Sequence, residues 1–164
     1  MSDANALAAQ LSSTDGGARR AAAERLAQMA EAAAPAAAQL VRACGDADEQ
    51  VREQAVAALE DLGPPTTEAI GQIIQLVAHA DPLVAYWATT LLGRAGEDAA
   101  SATPALAGCL TSPADLSVKQ RAAWALGKIG PAAAAARDAL GRAASDADPR
   151  LARLATEALA AIGA

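Results

Sequence analysis

The chain repeats itself about every 33 residues, and a period of that length restricts it to stacked repeats of one small unit. The stretch from Asp48 to Gly63 recurs from Asp15, Asp81, Asp115 and Asp148, at spacings of 33, 33, 34 and 33 residues. Seven positions after each Asp stands Ala22, Ala55, Ala88, Ala122 or Ala155, and eleven after it Leu26, Leu59, Leu92, Leu126 or Leu159. Three positions in are Ala18, Val51, Val84, Val118 and Leu151; fourteen in are Met29, Leu62, Ala95, Ile129 and Ile162. Steps of three and four place all these side chains on one face of a helix, whereas a strand would alternate.

The ends of that helix are written in the sequence too. Asp is a preferred N-cap, and Pro82 and Pro149 follow two of the five at the first helical position. Gly63, Gly96, Gly130 and Gly163 close four units where the backbone needs a left-handed residue, and Pro64 and Pro131 stop the helix. A second helix precedes each of these. Its apolar pairs are Leu7 and Leu11, Leu40 and Cys44, Ile73 and Val77, Leu106 and Leu110, and Leu140 and Ala144, each four apart on one face.

The predicted fold is all-α: a right-handed α-solenoid of five helix pairs, about ten helices. The units cover about 3–30, 33–63, 66–96, 100–130 and 132–163 and leave no room for another domain. The extra residue of the fourth period is expected in the loop 111–114. The 51 alanines fit this scheme: a small side chain at the invariant position lets two helices close up, and the leucine fills the next layer. One pair cannot bury its apolar stripe alone, but a stack makes a continuous core. At ~8–10 Å between helix axes the stack should be roughly 40–50 Å long.

Val51-Arg52-Glu53-Gln54-Ala55-Val56-Ala57-Ala58-Leu59, and the run from Val118-Lys119-Gln120-Arg121 to Ile129-Gly130, resemble HEAT repeats. They are most similar to the short variety called phycocyanobilin-lyase-type HEAT-like repeats. The resemblance covers nearly the whole chain. It implies a scaffold or adaptor, since few such proteins are enzymes. It also implies that the Val-Arg helix lines the concave face and its partner the convex face. The basic residue after Val would link neighbouring units. Arg19, Arg52 and Lys119 fit, while Ala85 and Ala152 interrupt the series.

Reactive chemistry finds little to work with. His79 is the only histidine, so no His-based metal site or acid–base pair can be built, and it is read as a loop residue. Cys44 and Cys109 lie two units apart, roughly 20 Å, against the ~4.4–6.8 Å between Cα atoms of a disulfide. They are read as buried, inert thiols. No phosphate-cradling loop, nucleophile elbow or paired-cysteine motif is present. A net charge of −6 argues against nucleic acid and against an anionic membrane. No apolar run approaches the ~20 residues of a membrane span, and no signal peptide is visible at the start, so a cytoplasmic location is the expectation.

Placing side chains at 100° per residue puts Pro82, Leu83, Tyr86, Trp87 and Thr90 of unit three on the concave side. Leu116, Ser117, Gln120, Arg121 and Trp124 of unit four join them. The chain's three aromatic residues therefore converge on two adjacent units. Trp87, at a flanking step, is open to two readings: the concave surface, or packing between neighbouring helices. Charge is uneven as well. Residues 46–115 hold eleven acids and two bases, and residues 116–164 hold seven bases and four acids. Glu49 and Glu53 would rim one side of the aromatic patch, and Arg150 and Arg153 the other. Such a patch fits a partner of opposite polarity.

The expected function is a non-enzymatic scaffold that binds a protein or peptide segment on its concave face. Leu83, Tyr86, Trp87, Thr90, Leu116, Gln120, Arg121 and Trp124 would be the contacts, with no catalytic residue, cofactor or metal. Two alternatives stand beside it: a bilin-lyase-like component that stacks a flat ligand on the aromatics, and a structural protein that self-assembles through the patch. A monomer or a weak homo-oligomer is expected.

Overall fold

The computed structural model describes residues 3–163, which are helical with short connections. The helices are α1 (Asp3–Gln10), α2 (Gly16–Ala27), α3 (Ala37–Ala43), α4 (Glu49–Asp61), α5 (Thr67–Ile74), α6 (Pro82–Ala95), α7 (Thr103–Thr111), α8 (Leu116–Ile129), α9 (Arg137–Ala143) and α10 (Pro149–Ile162). Eight have eight residues or more; α3 and α9 have seven. Short 3-10 segments, Ala30–Ala36, Gly96–Ala102 and Gly130–Ala136, lead into α3, α7 and α9. The helices form an α-solenoid: the even-numbered ones, which carry the repeat motif, make one row and the odd-numbered ones the other.

The five caps form as the sequence predicts. The carboxylates of Asp15, Asp48, Asp81, Asp115 and Asp148 accept from the amides of Gly17, Gln50, Leu83, Ser117 and Leu151 at 2.7–3.0 Å. At the other end Gly63, Gly96, Gly130 and Gly163 have φ of 72°, 58°, 73° and 84°. The first unit has no glycine in that register, and Ala30 takes the strained conformation itself at φ 46°.

A second layer of capping lies beneath these. The residue two before the Asp accepts the hydrogen of its amide: Ser13 Oγ, Asp46 Oδ1, His79 Nδ1 and Asp146 Oδ1, at 2.8–3.1 Å. The lone histidine is thus an exposed loop residue, as expected, and holds a cap in place.

The core is the predicted stripe. Ala22, Ala55, Ala88, Ala122 and Ala155 are fully buried, as are Leu26, Leu59, Leu92 and Leu126. Leu159, on α10, is half-buried. Cys44 and Cys109 are buried. Burial, and then the field of Asp81, push the Cys44 thiol up to about 12; burial raises Cys109 as well. Both stay protonated and unreactive. One detail of the loops differs from expectation: Thr111 ends α7, so only 112–114 are left as loop in the lengthened fourth period.

The stacking is uneven. α2 lies along α4, α6 along α8 and α8 along α10, but α4 and α6 barely approach. Position twelve of the repeat explains the contrast. It is Gly93 in α6 and Gly127 in α8, which let the next helix settle directly on the backbone; in α4 it is Glu60. A Cβ on Gly93 would collide with the Trp124 ring, lying 2.7 Å from Cε3, and one on Gly127 would lie 3.2 Å from Ala158 Cα. The link from α4 to α5 is also distinct. Pro65 holds Pro64 away from helical geometry, and no 3-10 segment forms there.

Candidate partner-binding surface

Where α4 and α6 part, Arg94 fills in. Its Nη1 donates to the Leu59 carbonyl at 2.6 Å and its Nη2 to Glu60 at 3.4 Å, capping the end of α4 from the neighbouring unit. The guanidinium also lies 5.6 Å from the centre of the Trp87 ring. Burial, and then the nearby charge of Arg121, lower the pKa of Arg94 from its ordinary value.

Next to it is the aromatic cluster. Tyr86 and Trp87 meet edge to face, with centroids 5.8 Å apart. Arg121 donates to the Tyr86 hydroxyl from Nη2 at 2.7 Å and from Nε at 3.0 Å. The same guanidinium is 5.0 Å from the Tyr86 centroid and 5.1 Å from that of Trp124. Lys128 adds a second cation, 6.0 Å from the Trp124 centroid. One arginine therefore ties the two rings of adjacent helices into a rigid unit, and both rings are half-buried.

The predicted residues divide into three groups. Tyr86, Gln120, Arg121, Trp124, Arg150 and Arg153 surround one pocket of about 320 Å³. Leu83, Glu49 and Glu53 line another of about 390 Å³, between α4 and α6. The third group lines neither of these two pockets. Trp87 is 7% exposed and Thr90 4%, with the Thr90 hydroxyl donating to the Tyr86 carbonyl. Trp87 packs between helices under Arg94, so the packing reading of this residue is the right one, and neither side chain is open to a partner. Leu116 is 45% exposed but lines neither pocket. Gln120 is committed as well, donating to the cap carboxylate of Asp148 at 2.9 Å.

Sequence reasoning missed Arg94, Lys128, Leu154 and Glu60. A signal for Arg94 existed: it is one of two bases in an acidic stretch and sits in the last turn of its helix. The family's basic-residue link also proves local. Arg19 forms a two-pronged pair with Asp46, Nε to Oδ2 at 2.8 Å and Nη2 to Oδ1 at 3.1 Å. Arg52 turns back to the carbonyls of Asp46 and Ala47, because the matching position in the next unit is His79. A further cavity, about 660 Å³, opens between α5 and α7 on the loop side, away from the aromatic cluster, with mainly apolar walls that include Val77 and Cys109.

The profile of the family described as HEAT repeats matches residues 36–127, more than half of the chain. The chain belongs to the HEAT-repeat family. Solved structures of the same architecture cover almost all of it. An engineered protein is 26% identical over 99% of this chain and 80% of its own, with a TM-score of 0.64. The complex of CpcE and CpcF of phycocyanin lyase from Nostoc sp. PCC7120 is 23% identical over 99% of this chain and 66% of that one, with a TM-score of 0.66. A designed armadillo repeat protein in complex with the peptide (KR)4 is 21% identical over 96% and 80%, with a TM-score of 0.65. The last two likenesses establish the fold alone. No curated protein matches by sequence. In this HEAT-repeat chain no helix is long and apolar enough to cross a membrane, among the described residues.

Proposed function

We propose that this chain is a protein-interaction scaffold that takes an extended segment of a partner protein across its even-numbered helices, the concave face of the family. The observation that carries this reading is the Tyr86–Arg121–Trp124 cluster. It presents two half-buried rings, held in place by one arginine, between two pockets. Rigid aromatic rings beside arginine are the side chains on which binding energy concentrates, because they bury much area at little entropic cost. Leu83, 38% exposed at the edge of the second pocket, adds apolar contact. Gln120, Arg150 and Arg153 contribute the polar rim on one side, and Glu49 and Glu53 on the other. Trp87 and Thr90 drop out of the contact set, and Leu116, which is exposed, stays in it.

The test is capture of partners from the native cell, followed by calorimetry with the purified partner. Trp124→Ala should weaken binding by about 2 kcal/mol or more, roughly thirtyfold. Because Trp124 also packs on Gly93, Leu83→Ser is measured alongside it; that side chain is exposed, and its loss should weaken binding without lowering the melting temperature. Wild-type affinity in both variants would remove the assignment.

A further inference from the structure

The two pockets that flank the aromatic cluster have opposite electrostatic character. The pocket between α8 and α10 is lined by Arg121, Arg150 and Arg153, with Ser117 and Gln120 beside them and the Trp124 ring as a wall. Arg121 is spent on the Tyr86 hydroxyl. Arg153 is exposed and pairs along its own helix with Glu157, Nη1 to Oε1 at 2.7 Å, an i,i+4 contact that solvent weakens. Arg150 makes no side-chain hydrogen bond among the described residues, with the cap carboxylate of Asp148 in electrostatic reach. Two exposed guanidinium groups thus stand over a cavity large enough for a side chain, next to an aromatic face. A carboxylate entering there would gain forked, charge-assisted hydrogen bonds.

On the far side of α6 the groove is lined by Glu49, Glu53 and Glu60, with Val56 and Leu83 as its apolar wall. Arg52 reaches the same groove, but its Nη1 is turned to the carbonyls of Asp46 and Ala47. Long basic side chains suit such a place: the aliphatic stem lies on Val56 and Leu83 while the charged end meets the glutamates. This groove exists because α6 stands off from α4, and the α8–α10 pocket adjoins helices that pack closely.

We infer that the pocket between α8 and α10 is a subsite for an acidic side chain of the bound segment, whose basic residues lie over the α4–α6 groove. The inference rests on the concave-face reading given above and adds a polarity and a spacing to it. The two pockets are two helix spacings apart, roughly 16–20 Å at ~8–10 Å per packed pair. An extended chain advances ~3.3 Å per residue, so the basic and acidic residues should be about five to six positions apart.

The experiment uses the full chain and fluorescein-labelled peptides of about twelve residues on a Gly-Ser-Leu background, read by anisotropy at roughly 50 mM salt, where exposed charges are weakly screened. The first probe carries a Lys-Arg pair and a Glu-Asp pair about six residues apart, made in both chain orders. The second has the same composition with the charges alternating. The third replaces the acidic pair by Gln-Asn. The separated-charge probe, in one of its orders, should bind about fivefold or more tighter than either control, a difference of roughly 1 kcal/mol. The double variant R150Q and R153Q should erase its advantage over the Gln-Asn probe, and an advantage that survives in this variant overturns the inference. Equal affinity for the separated-charge and Gln-Asn probes in both orders overturns the inference and leaves the concave-face reading standing, provided that Trp124→Ala weakens both. If no probe binds up to about 1 mM, or if Trp124→Ala binds every probe like wild type, the concave-face reading fails and the subsite with it.

Discussion

The junction between α4 and α6 and the junction between α6 and α8 join the same kinds of helix in the same repeat, and they are built on different principles. At the second, Gly93 exposes its backbone to the Trp124 ring and the helices lie against each other. At the first, Glu60 occupies that register, the helices stand apart, and a single arginine bridges the gap to two carbonyls. Packing is short-ranged and depends on shape, so the tight junction resists any added atom. A hydrogen-bonded bridge tolerates a change of shape but depends on one side chain. The wide junction leaves a groove between the helices, and the tight one presents the Tyr86–Arg121–Trp124 cluster. A solenoid with four identical junctions would offer neither.

The sharpest way to break the contrast is Gly93→Ala. The new methyl overlaps the Trp124 ring and must displace it or open the junction, which should cost about 2 kcal/mol, in line with overpacked cores. For a chain of this length the melting temperature falls by roughly 4–8 °C. Glu60→Ala at the same register of α4 is exposed and should change stability by no more than about 0.5 kcal/mol. In a double-mutant cycle, Trp124→Ala should relieve the Gly93→Ala defect, since the collision needs both partners. If Gly93→Ala melted with wild type, close approach would not be what holds α6 to α8.

The wide junction responds to the loss of its bridge. Arg94→Ala leaves the Leu59 and Glu60 carbonyls without their donor and uncovers Trp87, and should cost about 1.5 kcal/mol. The effect should be local. Hydrogen exchange should speed up in the last turn of α4, with α8 and α10 unchanged, whereas Gly93→Ala should loosen α6 and α8 together. Uniform exchange changes in Arg94→Ala would mean that the two junctions are not mechanically distinct.

These differences also mark what could be read from sequence. The caps at Asp15, Asp48, Asp81, Asp115 and Asp148, the buried alanines and the glycines at positive φ are local: each follows from the chemistry of one residue at one place in a helix. The spacing of α4 and α6 is not local. It depends on position twelve of one unit meeting the face of the next, and on Pro65 redirecting the intervening chain, so a repeat register alone assigns every junction the same width. That is why Trp87 was open to two readings. It lies at a flanking step, and only the width of its junction decides whether it is covered. Tyr86 and Trp124 were legible because their steps face away from the core stripe, although Thr90, at the same step as Trp124, is covered. Arg94 stands out only as a base in the last turn of its helix; its partners are carbonyls, which leave no trace in sequence.

The smallest effect concerns the other junction held by an arginine, that between α2 and α4. Burial pushes the Asp46 carboxyl up, but hydrogen bonds from Arg19 and from the Asp48 amide, with the charges of Arg19 and Arg52, outweigh it and hold the group below its ordinary value. A carboxyl depressed in the folded state stabilises the fold at pH above its unfolded value of about 3.9, and the contribution is lost as pH falls through the folded value. Asp46→Asn keeps the acceptor for the Asp48 amide, but it removes the charge and replaces the oxygen that accepts from Arg19 Nε by an NH2 donor. It should therefore melt slightly below wild type at pH 7, and the two curves should converge on acidification below about pH 4. Added salt should narrow the gap at pH 7 only in part, since the Arg19 and Asp46 side chains are 18% and 13% exposed and their pair is shielded from ions on most sides. The same titration applied to Arg94→Ala should show no convergence, because its acceptors are carbonyls that do not titrate. Parallel pH dependence in the two variants would show that the ion pair adds nothing a neutral bridge does not, and the α2–α4 and α4–α6 junctions would then be one kind of joint.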